Sequence, residues 1–383
     1  MGYKKTGGAA AKAIAVGVVA CLISAACSTA TTSTSPIVPS SQTTGHTSSP
    51  TPGPAASTAP GCLVGEAWDA YAEERIARWD QPAIEKPIEA AGGTYKFVDA
   101  KTSSEEQARQ IDEFVAEGAK VVVVRAADPV AIRPALEQAE AAGVAVIAYD
   151  YLVDSPKALL VAFDPVETGR MEARAILAAK PKGNYVIIKG HPEGQLEPDL
   201  IASGIHEVLQ PAIDKGDIKV VAETYTEYWD PSVAQTEMST ILSENHNQIA
   251  AVIAESDGMA SGAIAALKEV GLDGKVAVAG QGGDMWALNK VALGTQTVDV
   301  WPDLRLLGKA AGDAAVALCK NPDISKVKGA RPLSLPGNQA TALLVTPQPV
   351  TKDNLNVVVD SAWVKKLDIC VDVDPSKAPP ACR

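Results

Sequence analysis

Signatures of catalysis and of nucleotide binding are missing from this chain. No G-x-x-x-x-G-K-[ST] phosphate loop and no G-x-S-x-G nucleophile elbow occurs, and Gly280-x-Gly282-x-x-Met285 lacks the third glycine of a dinucleotide loop. Histidine is scarce: the four, at 46, 191, 206 and 246, have no ligand-like spacing, and no Cys-x-x-Cys or Cys/His cluster has zinc spacing. No metal or other cofactor is therefore expected. Basic charge is short as well. With 34 lysines and arginines against 46 acidic residues the net charge is −12, which excludes the cationic footprint of a nucleic-acid binder. Beyond residue 26 no apolar run is long enough to span a membrane. Acid pairs are plentiful in so acidic a chain, so an exported hydrolase remains as a competing class.

What is present begins with an export signal. Lys4, Lys5 and Lys12 precede a small-residue apolar stretch over 13–26, too short and too rich in alanine to cross a membrane well. It ends in Ala25-Ala26-Cys27, which resembles a bacterial lipobox with Ser24 where leucine is usual; Val19-Ala20-Cys21 is a weaker competitor. Residues 1–26 are read as a lipoprotein signal and Cys27 as the lipidated residue, with an ordinary cleaved signal as the alternative. Residues 27–60, dominated by Ser, Thr, Pro, Ala and Gly, cannot bury enough apolar surface to fold and read as a disordered tether. Cys62, Cys319, Cys370 and Cys382 remain for the folded part. In an oxidising compartment four cysteines allow three pairings. Cys370 and Cys382 are close enough in sequence to staple the C-terminal tail, which would leave Cys62 with Cys319; unpaired buried thiols are the alternative.

From Cys62 onward about 320 residues remain, more than one core supports, so two lobes are expected. Short apolar runs at 121–124, 144–148, 185–188, 218–221, 251–253 and 276–278 read as strands buried on both faces. Between them lie helical patterns at 104–117, 129–142, 166–179, 199–215, 232–245, 260–270 and 285–293. Ser103 and Ser104 suit a helix start, with Glu105 and Glu106 in the first turn, and Gly143 and Gly271 suit helix ends. This alternation implies parallel sheets built from βαβ units, an α/β chain of two doubly wound lobes.

The most informative stretch is 274–300, GKVAVAGQGGDMWALNKVALGTQTVDV: a strand, the loop Gly280-Gln281-Gly282-Gly283-Asp284, a helix and a strand at 295–300. In open α/β sheets a ligand pocket opens at such a loop, outside the carboxyl ends of the strands. The stretch resembles the pentose-binding branch of the periplasmic sugar-binding proteins, closest to the xylose-binding components of ABC transporters. ERIARW (74–79), IAYDYLVDSP (147–156), FDPVETG (163–169), GNYVIIKG (183–190), YWDPSVA (228–234), ESDGMASGAIAAL (255–267) and LLVTPQPVTKDN (343–354) extend the resemblance over nearly the whole folded part.

The resemblance implies the type I periplasmic binding fold, two Rossmann-like lobes joined by a three-strand hinge that close on a sugar. Residues 61–162 and 301–342 would form the first lobe, 163–300 and 343–360 the second, and 361–383 a tail. It implies that Trp229 stacks on the sugar, that Arg78 donates to sugar oxygens with Trp79 beside it, and that Asp150 accepts from hydroxyls. Gln195 falls in or near the family's Asp-Asn-Asn loop, Gln281 precedes the acidic loop position, and Asp257 either caps its helix or meets the ligand. Several positions depart from the family: Tyr151 stands for arginine, Ser256 for asparagine, Gly282 for aspartate and Pro302 for lysine. Unpaired buried groups make such sites selective, so a small neutral carbohydrate or polyol other than D-xylose in the usual pose is expected. The implied protein is a monomeric, lipid-anchored, extracytoplasmic solute-binding component that delivers its ligand to a membrane permease and does no chemistry. A sugar receptor for a membrane chemosensor is the alternative. Sugar-responsive transcription regulators share the ligand lobes but begin with a DNA-binding helix-turn-helix, whereas this chain begins with a signal and tether.

Overall fold

The computed structural model describes residues 61–70, 75–191, 197–335 and 338–383; the signal, Cys27, the tether and Gln195 lie outside them. Thirteen strands are formed among the described residues: β1 (Leu63–Trp68), β2 (Thr94–Asp99), β3 (Val121–Val124), β4 (Ala145–Tyr149), β5 (Leu159–Phe163), β6 (Gly183–Lys189), β7 (Ile218–Tyr225), β8 (Ala251–Ala254), β9 (Ala277–Gln281), β10 (Val298–Trp301), β11 (Arg331–Leu335), β12 (Asn338–Val345) and β13 (Gln348–Thr351). One sheet has the order β11-β12-β5-β4-β3-β1-β2 and the other β13-β10-β9-β8-β6-β7. All pairings are parallel except β11 with β12 and β10 with β13. The principal helices are α1 (Gln81–Ala90), α2 (Ser104–Ala116), α3 (Arg133–Ala141), α4 (Pro165–Ala179), α5 (Glu197–Asp214), α6 (Pro231–Glu244), α7 (Asp257–Glu269), α8 (Met285–Leu293) and α9 (Leu304–Lys320).

The apolar runs explain the layering. Along a strand successive side chains face opposite ways. Val121 and Val123 of β3 therefore join a core with Ile84 and Ile88 of α1 and Leu307 and Ala311 of α9, whereas Val122 and Val124 meet Ile111 and Phe114 of α2 and Leu136 of α3. The second sheet is covered in the same way, by Met238 and Leu267 of α6 and α7 on one face and by Ile176, Ile201 and Ile205 of α4 and α5 on the other. The α4–α5 crossing depends on glycine: a Cβ on Gly169 would fall 2.0 Å from the Ile201 carbonyl oxygen, and one on Gly204 2.0 Å from that of Val166. This close approach fixes α5, whose first residue, Glu197, matters below.

The chain passes between the sheets three times. The first passage follows β5, where Asp164 caps α4 by accepting from the Glu167 N–H at 3.0 Å and pairs with Arg331 at 2.8 Å. The second follows β10 and leads into α9. The third lies between Val345 and Gln348, not at Ala342 as the sequence suggested, because β12 keeps its parallel register with β5 through Val345 opposite Phe163. Disulfides join Cys62 to Cys319 and Cys370 to Cys382. The tail beyond residue 360 packs on α8, where Asn289 donates to the carbonyls of Ile369 and Val371 at 3.0 and 2.9 Å.

Glu66, in the middle of β1, is fully buried and accepts a 2.6 Å hydrogen bond from Tyr95. Burial pushes its carboxyl up to about 8; the Tyr95 bond opposes this, and the charges of Asp80 and Glu85 reinforce it. An acid with a raised pKa binds more protons folded than unfolded, so the stability it confers below the ordinary carboxylate range is lost as pH rises through about 8. Glu66→Gln is therefore expected to match the parent near pH 4 and to exceed it by on the order of 2–4 kcal/mol near pH 9. Urea melts at the two pH values check this, and an advantage independent of pH would refute it.

Candidate functional site

A ligand crevice opens in a doubly wound sheet where the strand order reverses, at the carboxyl ends of the strands. In the first sheet the reversal lies between β1 and β3. The residues that directly follow these strands are Asp69, after the buried Trp68, and Arg125. Arg125 Nη1 donates to both Asp69 carboxylate oxygens at 2.8 Å, and its Nε lies 3.9 Å from Asp150 Oδ2. Asp150 follows β4 with a left-handed φ of 70° and receives a second guanidinium, Arg75 Nη2, at 3.1 Å. Arg75 also pairs with buried Asp80 at 2.9 Å, to which Tyr149 donates at 2.6 Å. The Tyr151 ring lies 5.0 Å from the Arg125 guanidinium carbon.

The carboxylates keep both guanidiniums charged. Burial alone would lower the Arg75 and Arg125 pKa values, but the neighbouring carboxylates, and for Arg125 also Tyr151, raise both above the ordinary value. The charge of Asp150, followed by burial, pushes the Tyr151 phenol up to about 12. Burial, followed by Asp150, pushes Glu197 up to about 7. Glu197 opens α5 in the second lobe while Asp150 belongs to the first, so the two lobes face each other here across the cleft.

In the second sheet the reversal lies between β6 and β8, whose following residues are Gly190 and Glu255. Gly190 N–H donates to Glu255 Oε2 at 2.9 Å, and burial holds the Glu255 carboxyl well above the usual range. The Trp229 indole lies directly on Gly190: a Cβ there would fall 2.1 Å from the ring. Tyr228 and Trp229 both have left-handed φ angles, 55° and 56°. Two such residues together cost about 1–3 kcal/mol each and persist only where surroundings over-determine them, commonly at functional sites. Here Asp230 caps α6 through the Ser232 N–H at 2.7 Å, Pro231 opens that helix, and His191 stacks on Tyr228 with centroids 4.9 Å apart.

Beneath the Gln281–Asp284 segment lies a buried carboxylate pair. Asp257 accepts from the Asp284 N–H at 3.0 Å and from Gln296 at 3.1 Å, Asp299 accepts from the Gly283 N–H at 3.1 Å, and burial, followed by the charge of Asp257, raises the Asp299 pKa. Asp257 oxygens thus hold the loop. The α7 cap is Ser256, which accepts from the Met259 N–H at 3.2 Å. Gln281 still pairs within β9–β10 and donates to the Glu255 carbonyl at 2.8 Å. Trp363 of the tail supports the same loop by donating to the Gly283 carbonyl at 2.7 Å.

The structure thus gathers Asp150, Tyr151 and Trp229 at the carboxyl ends of the strands, with Ser256, Asp257 and Gln281 committed to shaping the second wall. Arg78 and Trp79 stand apart from the Arg75–Asp150 pair, on the Trp363 side of the Gly283 loop. Arg78 is exposed with its guanidinium 4.5 Å from the Trp79 ring, and Trp79 stacks on Trp363 at 4.9 Å beside Arg305, on a groove of about 770 Å³ between α1 and α9. The cause is the π-helical turn Ile76–Asp80: its extra residue per turn brings Arg75, not Arg78, toward Asp150. Sequence reasoning also missed Asp69, Arg125, Glu197 and Glu255. A charged residue directly after a buried strand marks a carboxyl end and is the signal that could have found Arg125 and Glu255. Among the described residues no cluster of three or more His, Cys, Asp or Glu could hold a metal, and no helix is long and apolar enough to cross a membrane.

Comparison with known proteins places this geometry. A family model described as a periplasmic binding protein domain matches residues 69–323. The D-xylose-binding periplasmic protein of Escherichia coli K12 is 32% identical over 299 residues, covering 77% of this chain and 89% of the relative. The xylitol-binding protein of Mycolicibacterium smegmatis is 29% identical over 260 residues, covering 66% of this chain and 67% of the relative. A solved ABC transporter solute-binding protein from Clostridium phytofermentans with bound β-D-glucose superposes with a TM-score of 0.64 at 23% identity, covering 80% of this chain and 99% of that one. The chain belongs to the periplasmic binding protein family, and its two-lobed α/β architecture is that family's type I fold.

Proposed function

We propose that this protein is the extracytoplasmic solute-binding component of an ABC transporter and captures one small, neutral, polyhydroxylated molecule, a pentose-like sugar or sugar alcohol, by hinge closure. The observation that carries this is the pairing at the two strand-order reversals: Asp69, Arg125 and Asp150 on one wall, and the Trp229 indole over Gly190 on the other. Guanidiniums and carboxylates that already neutralise one another suit a ligand that both donates and accepts hydrogen bonds and carries no charge. An indole face suits the apolar C–H face of such a ring or chain. Relatives named for D-xylose and for xylitol support the substrate class. Tyr151, Ser256, Gly282 and Pro302 argue against D-xylose in the usual pose.

The same reading makes Cys27 the lipid anchor at the outer face of the membrane, residues 27–60 its tether, and a permease with its own ATPase the partner that recognises the closed monomer. It gives the protein no catalytic step. Closure brings both lobes into one geometry, which a chemosensor could read as well as a permease. A thermal-shift panel of D-xylose, D-ribose, D-glucose, xylitol, ribitol, myo-inositol and two disaccharides tests the reading, since a molecule that binds only the folded state raises the melting temperature by mass action. A rise with one or two pentoses or polyols is expected. A flat response across the panel would overturn the ligand class.

A further inference from the structure

We propose that Arg125 is the specificity-determining residue of this cleft, supplying from the end of β3 the guanidinium that the family resemblance leads one to expect directly after the Tyr-Asp pair, where this chain has Tyr151. This rests on the functional reading above. Three observations converge on it. First, Arg125 is only 6% exposed yet stands at the strand-order reversal of the first sheet, the one place in that sheet where a crevice must open. Second, it is held from three sides: Nη1 on both oxygens of Asp69 at 2.8 Å, Nε 3.9 Å from Asp150, and the Tyr151 ring at 5.0 Å. Third, Asp150 lies between Arg125 and Arg75, so the carboxylate expected to meet sugar hydroxyls is oriented by two guanidiniums.

Stability does not account for the arrangement. A buried ion pair recovers little more than its own desolvation cost, and packed apolar residues serve a fold equally well. A planar, rigid fork placed at a crevice fits recognition of a particular arrangement of ligand oxygens. Moving that fork from position 151 to position 125 shifts it from the end of β4 to the end of β3, one strand nearer β1. The hydroxyl pattern selected must move with it. Tyr151 is then the companion change: its ring covers the guanidinium carbon and fills the place the fork has left.

Isothermal titration with D-xylose, D-ribose, xylitol and myo-inositol tests the proposal, using the parent, Arg125→Gln, Arg125→Lys, the exchange Arg125→Gln/Tyr151→Arg, and the surface control Arg133→Gln. The parent is expected to bind at least one of the four. Arg125→Gln should weaken that molecule at least 30-fold and Arg133→Gln less than threefold. The exchange should change the order of preference, raising D-xylose at least tenfold over Arg125→Gln. If Arg125→Gln does not fold, Arg125→Lys keeps the charge without the fork and should still lose at least tenfold. A folded Arg125 variant with the parent's affinities and order would overturn the proposal. A parent that binds none of the four would overturn the proposal, and the functional reading would fall with it only if the whole thermal-shift panel were also flat.

Discussion

Trp229→Ala is expected to lose about 30–60-fold in affinity for whichever sugar or polyol the parent binds, while remaining folded. A pentose or pentitol face laid on an indole removes about 80–100 Å² of apolar surface from water, worth ~2–2.5 kcal/mol, and each 1.4 kcal/mol is about tenfold. Trp229 is half-buried and only borders the α6–α7 core, and the strained turn that presents it is fixed by other groups, the Asp230 cap and the His191–Tyr228 stack. The melting temperature should therefore fall by no more than about 5 °C. Gly190→Ala supplies a companion, because the added methyl would meet the ring at 2.1 Å and must push it off the backbone. It should lower affinity through position alone, with the indole still present. Titration calorimetry and tryptophan fluorescence read both variants. An unchanged affinity in Trp229→Ala would return Trp229 to a packing role.

How much of this was legible in the sequence depends on whether the deciding force was local. Val121–Val124 and Met285–Leu293 have the bounds expected from periodicity, since a buried valine run and an apolar helical stripe ended by Gly294 carry their own signals. Local chemistry also placed the Ser103 cap. Boundaries failed where tertiary pairing decided. Thr295–Thr297 was expected to be strand but lies before β10, and Gly280 and Gln281, expected in the loop, remain in β9 because Asp299 and Val300 of β10 pair with them. The helix expected from 129 starts at Arg133, and the one expected from 260 starts at Asp257, where Ser256 caps it. The site divides in the same way. Asp150 and Trp229 follow recognisable strand and loop patterns. Arg75 could not be preferred to Arg78, because the π-helical turn that exchanges them leaves no mark in periodicity. Glu197 was equally hidden, since an acid in a first helical turn is ordinary and only the opposing lobe makes this one part of a cleft.

Removing the Cys62–Cys319 disulfide, which packs against the first core, should destabilise the folded part more than removing Cys370–Cys382. Cys62 and Cys319 are 257 residues apart, and the closed loop contains the whole second-lobe insertion between the first and second passages of the chain. In the chain-entropy account such a loop is worth roughly 5 kcal/mol, against about 3 kcal/mol for the 12-residue separation of Cys370 and Cys382. Cys62→Ser/Cys319→Ser is therefore expected to lose ~3–5 kcal/mol in a urea melt, the larger loss of the two. Function should rank them the other way. Cys62 and Cys319 join the start of β1 to the last turn of α9 within one lobe, remote from the carboxyl ends of the strands, so the weakened protein should bind with the parent's affinity wherever it is still folded. Cys370–Cys382 secures the tail that carries Trp363, whose indole donates to Gly283 and stacks on Trp79 of the opposite lobe. Loosening it should slacken the Gly282–Asp284 loop and the contact between lobes, and affinity should fall several-fold although stability falls less. Urea melts and titrations on the two double variants read both rankings, and a pair that ranked the same way in both would show that the tail does not support the cleft.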